Sequence, residues 1–315
     1  MIRGLLKVLL TSLGILATLL LIAALYLAWT NRDLPVQELE QRYGGQGLQR
    51  FTIDGVNLAY KVEGSGPPLV LIHSHFYTMR QWQEWVDILA RDFTVIRYDL
   101  TSHGLTGPDP SEDYSRARGT FLLAGLLDHL EIPRASVVGS STGGALAWYF
   151  AAHYPQRIEK LVLINAPGMP RVTNEYMERG LPAWSGFVFY LLPERLFKPF
   201  LEAAVTDNTL ITDERVREFH EMYRGEGNRM AEFKRMRAWE RGDISADLAR
   251  IKAPTLILWG EKNPQLPAEH VAQYTEKLSN AASVDQRIYS GVGHVIPVEI
   301  PQQSAEDVRA FLQGQ

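Results

Sequence analysis

The sequence predicts an α/β protein with a mostly parallel central sheet flanked by helices, a helical insertion, and an N-terminal transmembrane helix. Three observations lead to this prediction. Short apolar runs rich in β-branched residues alternate with helical stretches, the pattern of a parallel sheet covered on both faces. The stretch Pro167–Arg250 contains no strand-like run. Near the N-terminus, no charged residue occurs from Val8 to Thr30, a span of 23 residues.

The uncharged span predicts a membrane anchor over residues 1–30. As a helix it would be about 35 Å long, enough for a hydrocarbon core of about 30 Å. A cleaved signal peptide is the alternative, but its apolar region is usually shorter, about 7–15 residues, and ends in small residues. Here the span ends at Trp29 and Thr30. Arg3 and Lys7 precede it, which predicts a cytoplasmic N-terminus and a body outside, periplasmic in a Gram-negative cell.

Composition excludes several classes of function. The chain has 315 residues and no cysteine, so disulfides, cysteine-based metal centres and a thiol nucleophile are excluded. After the anchor, 30 basic residues stand against 36 acidic ones, a net charge of −6. A nucleic-acid-binding protein would need a basic footprint, so we expect no nucleic-acid partner.

The body follows the predicted alternation in order. Residues 31–50 are polar, contain a glycine-rich stretch (Gly44–Gly47), and are expected to form a linker. A hairpin is expected around Asp54-Gly55. The predicted strands are Leu69–Ile72, Phe93–Tyr98, Ser136–Gly139, Leu161–Ile164, Thr255–Trp259 and Val284–Tyr289. Thr142–Tyr154 and Gln302–Phe311 are predicted helices with apolar residues at helical spacing. The core would therefore comprise residues 51–166 and 251–315, and residues 167–250 would form an aromatic-rich helical insertion.

The motif Gly139-Ser140-Ser141-Thr142-Gly143 lies between a predicted strand and a predicted helix. In this context G-x-S-x-G is typical of a serine nucleophile held on a sharp turn. Ser141 has glycine two residues before and two residues after it, whereas Ser140 would need glycine in place of Val138. Ser141 is therefore the candidate nucleophile.

With this motif the sequence resembles the α/β-hydrolases, and the resemblance extends from about Phe51 to Phe311. Three further segments match: Leu69-Val-Leu-Ile-His73-Ser74-His75-Phe76, Tyr98-Asp99-Leu-Thr-Ser-His103-Gly104, and Gly291-Val-Gly293-His294. The resemblance implies that His294 is the catalytic base, that backbone amides of His75 and Thr142 form the oxyanion hole, and that residues 167–250 form a cap. It implies no cofactor.

Two departures from the family pattern concern the site. Ser74 replaces the usual glycine, where a side chain could narrow the oxyanion hole. Asn263 stands where the family has the triad acid, and the alternative acid position is also an asparagine, Asn165. Three readings stay open: Asn263 orients the histidine without charge in a slow enzyme, Glu261 or another carboxylate acts as the acid, or catalysis is lost.

The expected function is a membrane-anchored serine hydrolase acting on an ester of a small or lipid-like acid through an acyl-enzyme. The alternatives are a serine-dependent C–C hydrolase of ring-fission products and an inactive binding protein that keeps the pocket. The pair His73 and His75 could suggest a metal site, but a companion carboxylate is absent from the following residues, so we expect no metal. Aromatic residues of the insertion either pack the cap onto the core or line an apolar substrate pocket.

Overall fold

The computed structural model describes residues 2–169, 181–240 and 242–314. Part of the predicted insertion, residues 170–180 and 241, lies outside this range. The N-terminal segment forms one helix, α1 (Ile2–Thr30). Its stretch Leu6–Thr30 has a mean hydropathy of 2.6 and contacts nothing else closely enough to be buried. By length and composition alone, α1 meets the criterion for a membrane span or a signal sequence.

The predicted sheet is confirmed. Its strands are β1 (Gln49–Ile53), β2 (Val56–Glu63), β3 (Pro68–Ile72), β4 (Thr94–Tyr98), β5 (Ala135–Ser140), β6 (Ile158–Ile164), β7 (Thr255–Gly260) and β8 (Val284–Tyr289). They form one sheet of order β1-β2-β4-β3-β5-β6-β7-β8. The pairs β1–β2 and β2–β4 are antiparallel, and the remaining pairs are parallel. The β1–β2 hairpin turns at Asp54 and Gly55, both with positive φ, as the Asp-Gly pair predicts.

Helices cover both faces of the sheet. The other described α-helices are α2 (Val36–Leu39), α3 (Gln83–Leu89), α4 (Arg116–His129), α5 (Thr142–His153), α6 (Phe197–Glu202), α7 (Asp213–Tyr223), α8 (Asn228–Arg237), α9 (Ser245–Leu248), α10 (His270–Lys277), α11 (Ile296–Glu299) and α12 (Pro301–Gln313). Helices α4, α5, α9 and α10 bury their apolar residues on one face with alternate strand residues such as Val70 and Ile72. Helices α3 and α12 cover the other face with Leu69 and Leu71. The period-2 alternation of each strand thus supplies two separate cores.

The described part of the segment between β6 and β7 is helical, as the absence of strand-like runs predicts. It contains 3-10 helices at Ala183–Tyr190, Glu194–Leu196 and Asn208–Leu210 together with α6, α7, α8 and α9. Its apolar residues form a cluster of their own, which includes Phe197, Phe219 and Tyr223 and contacts Tyr77 and Val295 of the core loops. The insertion therefore lies over the loops that follow β3 and β8.

The predicted linker is ordered rather than extended. Residues 31–48 include α2 and a π-helical turn, Glu40–Gly44. Leu34 and Leu39 are buried against Ala59, Leu105 and Met222. The backbone of Leu34 also pairs with the insertion, donating to the Arg224 carbonyl at 2.8 Å. Two isolated leucines in a polar stretch give no periodic signal, so the sequence alone does not reveal this packing.

Candidate active site

Ser141 occupies the sharp turn between β5 and α5, at the carboxyl edge of the parallel strands. Its backbone has φ 50° and ψ −118°, a conformation that costs energy for any residue with a side chain. Gly139 and Gly143 permit the turn, because a Cβ on either would lie 2.2 Å from a backbone oxygen. Ser140, the other serine of the motif, is fully buried, whereas Ser141 is partly exposed. Of the two serines, Ser141 is therefore the one that lines the adjacent cavity, and it stays the candidate nucleophile.

The structure brings Ser141, His294 and Asn263 together from three loops that follow β5, β8 and β7. Ser141 Oγ lies 2.9 Å from Nε2 of His294, and Nδ1 of the same ring lies 3.1 Å from Oδ1 of Asn263. With the ring proton on Nδ1, that group donates to Asn263 and Nε2 accepts from the serine hydroxyl. This is the order of contacts that activates a serine nucleophile.

The Asn263 side chain is surrounded by hydrogen-bond donors. Its Oδ1 also accepts from the backbone N–H groups of Gln265 at 3.0 Å and Leu266 at 3.1 Å. Its Nδ2 is buried and has no hydrogen-bond partner among the described residues. A carboxylate accepts on both oxygens and donates from neither, so it would leave no such orphaned donor. The surroundings of Asn263 thus fit the acid of a triad better than the amide that occupies them.

The two other positions considered for the triad acid, Glu261 and Asn165, make other contacts. The exposed carboxylate of Glu261 accepts from the Ser290 hydroxyl and the Gly291 N–H, both at 3.0 Å. Asn165 accepts from the Gly260 N–H at 3.1 Å and donates to the His294 carbonyl at 2.8 Å. Asn165 therefore holds the backbone of the histidine loop through its amide. Glu261 stabilises the turn that precedes His294.

The two predicted oxyanion donors flank Ser141. Thr142 is the first residue of α5, where a helix leaves its N–H groups without intrahelical partners. His75 and Thr142 line the same cavity as Ser141. Ser74, the departure from the family's glycine, lines the cavity too, but its hydroxyl is bound within the loop. Its hydroxyl donates to Ser140 Oγ at 2.9 Å and accepts from Gln81 Nε2 at 3.1 Å.

His73 is a structural residue of the same loop. Its Nδ1 lies 2.8 Å from the Ser74 carbonyl, and its Nε2 accepts from the Leu100 N–H at 2.9 Å. These contacts require a neutral ring, and complete burial lowers the pKa of His73 to about 4. His73 thereby joins the loop after β3 to the loop after β4.

Asp99 and Glu299 brace two other loops of the site. Asp99 is buried and accepts from the backbone N–H groups of Met79 at 2.6 Å and Leu105 at 2.7 Å. Burial raises the pKa of its carboxyl to about 6. Glu299 accepts from the N–H groups of Gly293 and Val295, the two neighbours of His294. His294 is thus held on both sides by a carboxylate that contacts only the backbone there.

A buried charged cluster connects the insertion to the loop of His75, and the sequence analysis missed it. Glu232 of α8 accepts from Arg235 Nε at 2.9 Å and Nη2 at 2.8 Å, and it also pairs with Nε2 of His75. His103 Nε2 lies 3.8 Å from the same carboxylate. Although burial opposes the charged form, Arg235 and His75 hold the pKa of Glu232 well below its usual range.

This cluster has the residue types of a metal site but not its charge. The ligand atoms of His75, His103 and Glu232 lie within 4.8 Å of one another. Arg235 already pairs with both oxygens of the carboxylate, so a divalent cation would add positive charge that no further acid in this group compensates. The local sequence gives no signal for the cluster, because an acid and a base three residues apart on a helix usually form a solvent-exposed pair.

A cavity of about 310 Å³ lies above Ser141 and His294. Much of its wall is apolar and comes from Phe76 and from the insertion, which contributes Phe200, Leu201 and Trp239. Such a cavity, apolar with a few convergent polar groups, is typical of a small-molecule site. Part of the aromatic content of the insertion thus lines this space, and another part packs the insertion onto the core.

Comparison with known proteins agrees with the fold. A family model described as alpha/beta hydrolase fold matches residues 67–301. The crystal structure of a hydrolase from Pseudomonas aeruginosa PA01 is 29% identical, with a TM-score of 0.69, and the alignment covers 85% of this chain and 99% of that one. A bacterial membrane phospholipase A is 25% identical, with a TM-score of 0.72 and coverage of 100% and 99%. An uncharacterized hydrolase of Bacillus subtilis (strain 168) is 26% identical over 275 residues, 84% of this chain and 97% of that protein.

Proposed function

Because this chain belongs to the α/β-hydrolase fold family, we propose that it is a membrane-anchored serine hydrolase that cleaves carboxylic esters through an acyl-enzyme. The observation that carries the proposal is the 2.9 Å contact between Ser141 Oγ and His294 Nε2, made at a strained turn beneath an apolar cavity. A serine hydroxyl is a weak nucleophile until a neighbouring base accepts its proton. Here the base and the nucleophile are already within hydrogen-bond distance.

The reaction would proceed in two steps, acylation of Ser141 and hydrolysis of the acyl-enzyme. Ser141 gives its proton to His294 as Oγ attacks the ester carbonyl, and the amides of Thr142 and His75 bind the oxyanion. The carbon–oxygen bond then breaks, and His294 returns the proton to the departing alcohol. In the second half, water gives a proton to His294 and attacks the acyl carbon. Ser141 leaves with that proton, and the free acid is released.

Asn263 would orient the imidazole without stabilising its positive form. We expect slow turnover for this reason, since an amide accepts the Nδ1 proton but contributes no charge. Glu261 is the less favoured acid in this proposal, because its carboxylate is already bound to Ser290 and Gly291 on the surface of the turn.

Residues 1–30, which include helix α1, would anchor the body to the membrane, followed by the linker 31–50, whose last two residues begin β1. In this proposal the core comprises 51–166 and 251–315, and residues 167–250 form the cap. The basic residues before the apolar span favour a cytoplasmic N-terminus with the catalytic body outside. Similarity to a membrane phospholipase A over the whole length supports the anchor and a lipid-like substrate.

An ester panel tests the proposal. The detergent-solubilised full chain is assayed on aryl and glyceryl esters of increasing acyl length, with Ser141→Ala as the matched inactive variant. We expect hydrolysis that Ser141→Ala abolishes. Cleavage of a ring-fission product without ester hydrolysis would instead establish the C–C hydrolase. Binding of esters without turnover by the folded protein would establish the inactive binding protein.

A further inference from the structure

The insertion exposes an unusual concentration of large apolar side chains. We define the cap strip as the exposed residues Trp184, Phe187, Val188, Leu191, Leu196 and Phe200. Trp184 is 72% exposed and Phe187 is 55% exposed. Outside α1 and this strip, the exposed large hydrophobic residues of the described chain are Phe121, Trp239 and Ile288. Single exposed apolar residues need no explanation, but six within 17 positions indicate an interaction surface.

The cap strip lies next to the point where α1 leaves the body. Arg229 of α8 pairs with Asp33, with Nη2 at 2.5 Å and Nε at 3.0 Å from the carboxylate. Its guanidinium also lies over the Tyr190 ring, 4.3 Å from the ring centroid. Tyr190 ends the 3-10 helix that carries Trp184, Phe187 and Val188. Because Arg229 is only 2% exposed, this connection between linker and cap is buried.

Chain length then places the strip near the bilayer surface. Asp33 follows Thr30, the last residue of α1, by three residues, which span at most about 10 Å. Trp29 and Tyr26 at the end of α1 are residues of the type that favours the membrane interface. If α1 spans a bilayer, only three residues of chain and the Asp33–Arg229–Tyr190 contacts separate the segment around Tyr190 from the end of that span.

The other end of the strip reaches the catalytic cavity. Phe200 is 50% exposed and also lines the cavity above Ser141, together with its neighbour Leu201. An acyl chain that leaves the bilayer along the strip would thus meet apolar side chains as far as the cavity.

The contact would be apolar rather than electrostatic. Between Trp184 and Phe200, Lys198 is paired with Asp213 at 2.7 Å, and Glu194 and Arg195, adjacent in sequence, carry opposite charges. The strip therefore lacks the basic cluster that binds anionic lipid headgroups. Aromatic and leucine side chains partition into the interface without such charges.

We propose that the cap strip docks on the bilayer from which α1 emerges, and that this bilayer supplies the substrate, an ester carried on an acyl chain. The substrate part rests on the proposed function. Docking rests on the proposed anchor α1 but not on hydrolase activity, and it is argued from the exposure of the strip, the Asp33–Arg229–Tyr190 connection and the length of the linker.

Site-directed labelling tests the docking without any assay of activity. The chain has no cysteine, so Phe187→Cys gives a single labelling site. The full-length variant, carrying an environment-sensitive fluorophore, is reconstituted in phosphatidylcholine vesicles. Phe121→Cys and Ile288→Cys are matched controls, since these residues are 44% and 49% exposed on the core. Quenching by aqueous iodide and by a lipid-borne quencher is then compared.

We expect the label at position 187 to be shielded from iodide at least threefold relative to position 121, and to be quenched from the lipid phase. Both effects should persist at high salt. Equal iodide quenching at 187 and 121 would overturn the proposal. Shielding that grows with the protein-to-lipid ratio, without quenching from the lipid, would also overturn it, because a second copy of the chain would then cover the strip.

The substrate source is tested by the double variant Trp184→Ser with Phe187→Ser. We expect its rate on a vesicle-embedded phospholipid or diglyceride to fall at least fivefold relative to its rate on a soluble short-chain ester. Phe121→Ser should keep the wild-type ratio. An unchanged ratio in the double variant would contradict the bilayer as source. If neither ester is hydrolysed by the wild type, the proposed function fails while the labelling result stands.

Discussion

Replacing Asn263 by aspartate changes one charge at the centre of the site with almost no change in shape. The side chain already lies 3.1 Å from Nδ1 of His294, and two backbone N–H groups hold it in place. The orphaned Nδ2 would become a second acceptor oxygen. The new carboxylate could therefore divide the three donors between two oxygens.

The expected gain follows from the interaction of two unit charges. When His294 accepts the serine proton, its positive charge would lie about 4 Å from the carboxylate. At an effective dielectric constant of about 20, that attraction amounts to about 4 kcal/mol. Each 1.36 kcal/mol changes a rate tenfold, so the upper limit is about 10³. Partial desolvation of the new charge reduces this gain. We therefore expect kcat/KM for Asn263→Asp to rise by about 10²–10³.

The assay is hydrolysis of a soluble aryl ester by the detergent-solubilised chain. Glu261→Gln serves as the control for the alternative acid, and we expect it to change the rate less than threefold. An unchanged rate in Asn263→Asp would refute the view that Asn263 is an uncharged orienter in an active enzyme. A large loss in Glu261→Gln would instead assign the acid to Glu261.

Three further predictions concern the supports of the site. Glu232→Gln should destabilise the fold by about 3–5 kcal/mol, because Arg235 would keep its buried charge without a partner. Thermal unfolding measures this loss. The control is Glu112→Gln, which removes the exposed partner of Lys234, a residue on the same helix as Glu232, and is expected to cost under about 1 kcal/mol. The folded-state pKa of His73, about 4, lies below its usual value, so its stabilisation is complete above about pH 6.5 and is lost as pH falls towards 4. Denaturant titrations should show this loss, up to about 3 kcal/mol, in the wild type relative to His73→Gln, and parallel pH profiles would contradict it. Gly143→Ala should lower the unfolding temperature, since a Cβ would meet the Ile72 carbonyl at 2.2 Å; an unchanged temperature would show that the turn relaxes.

The core of the fold and the candidate nucleophile are readable from sequence because their signals are local. Strands such as Leu69–Ile72 and Leu161–Ile164 are short apolar runs, and Ser141 sits in a motif whose glycines have a steric cause. The Asp54-Gly55 turn is local in the same way. His294 and Asn263 were identified through the resemblance of the loops after two late strands to the family pattern. Parallel strands bring their carboxyl ends to one edge of a sheet, which is why these residues meet Ser141.

Long-range polar contacts were not readable. Glu232 and His75 are 157 positions apart, and nothing in either local sequence indicates that they pair. On α8, Glu232 and Arg235 have the spacing of a surface ion pair, yet the carboxylate is 2% exposed. The docking of the linker depends likewise on single residues, Leu34 and Asp33, that fit the surface of the insertion. Such contacts depend on the assembled tertiary structure, so no periodic pattern encodes them.

Covalent labelling of Ser141 tests the central claim most directly. A fluorophosphonate reacts with a serine only when a base and oxyanion donors activate it, whatever the natural substrate is. The full chain is treated in detergent and the modified residue is identified by peptide mapping, beside His294→Ala and a heat-unfolded sample. We predict one phosphonyl group on Ser141 of the folded protein, slowed at least 100-fold in His294→Ala. Folded protein that remains unlabelled, or is labelled equally without His294, would contradict the assignment.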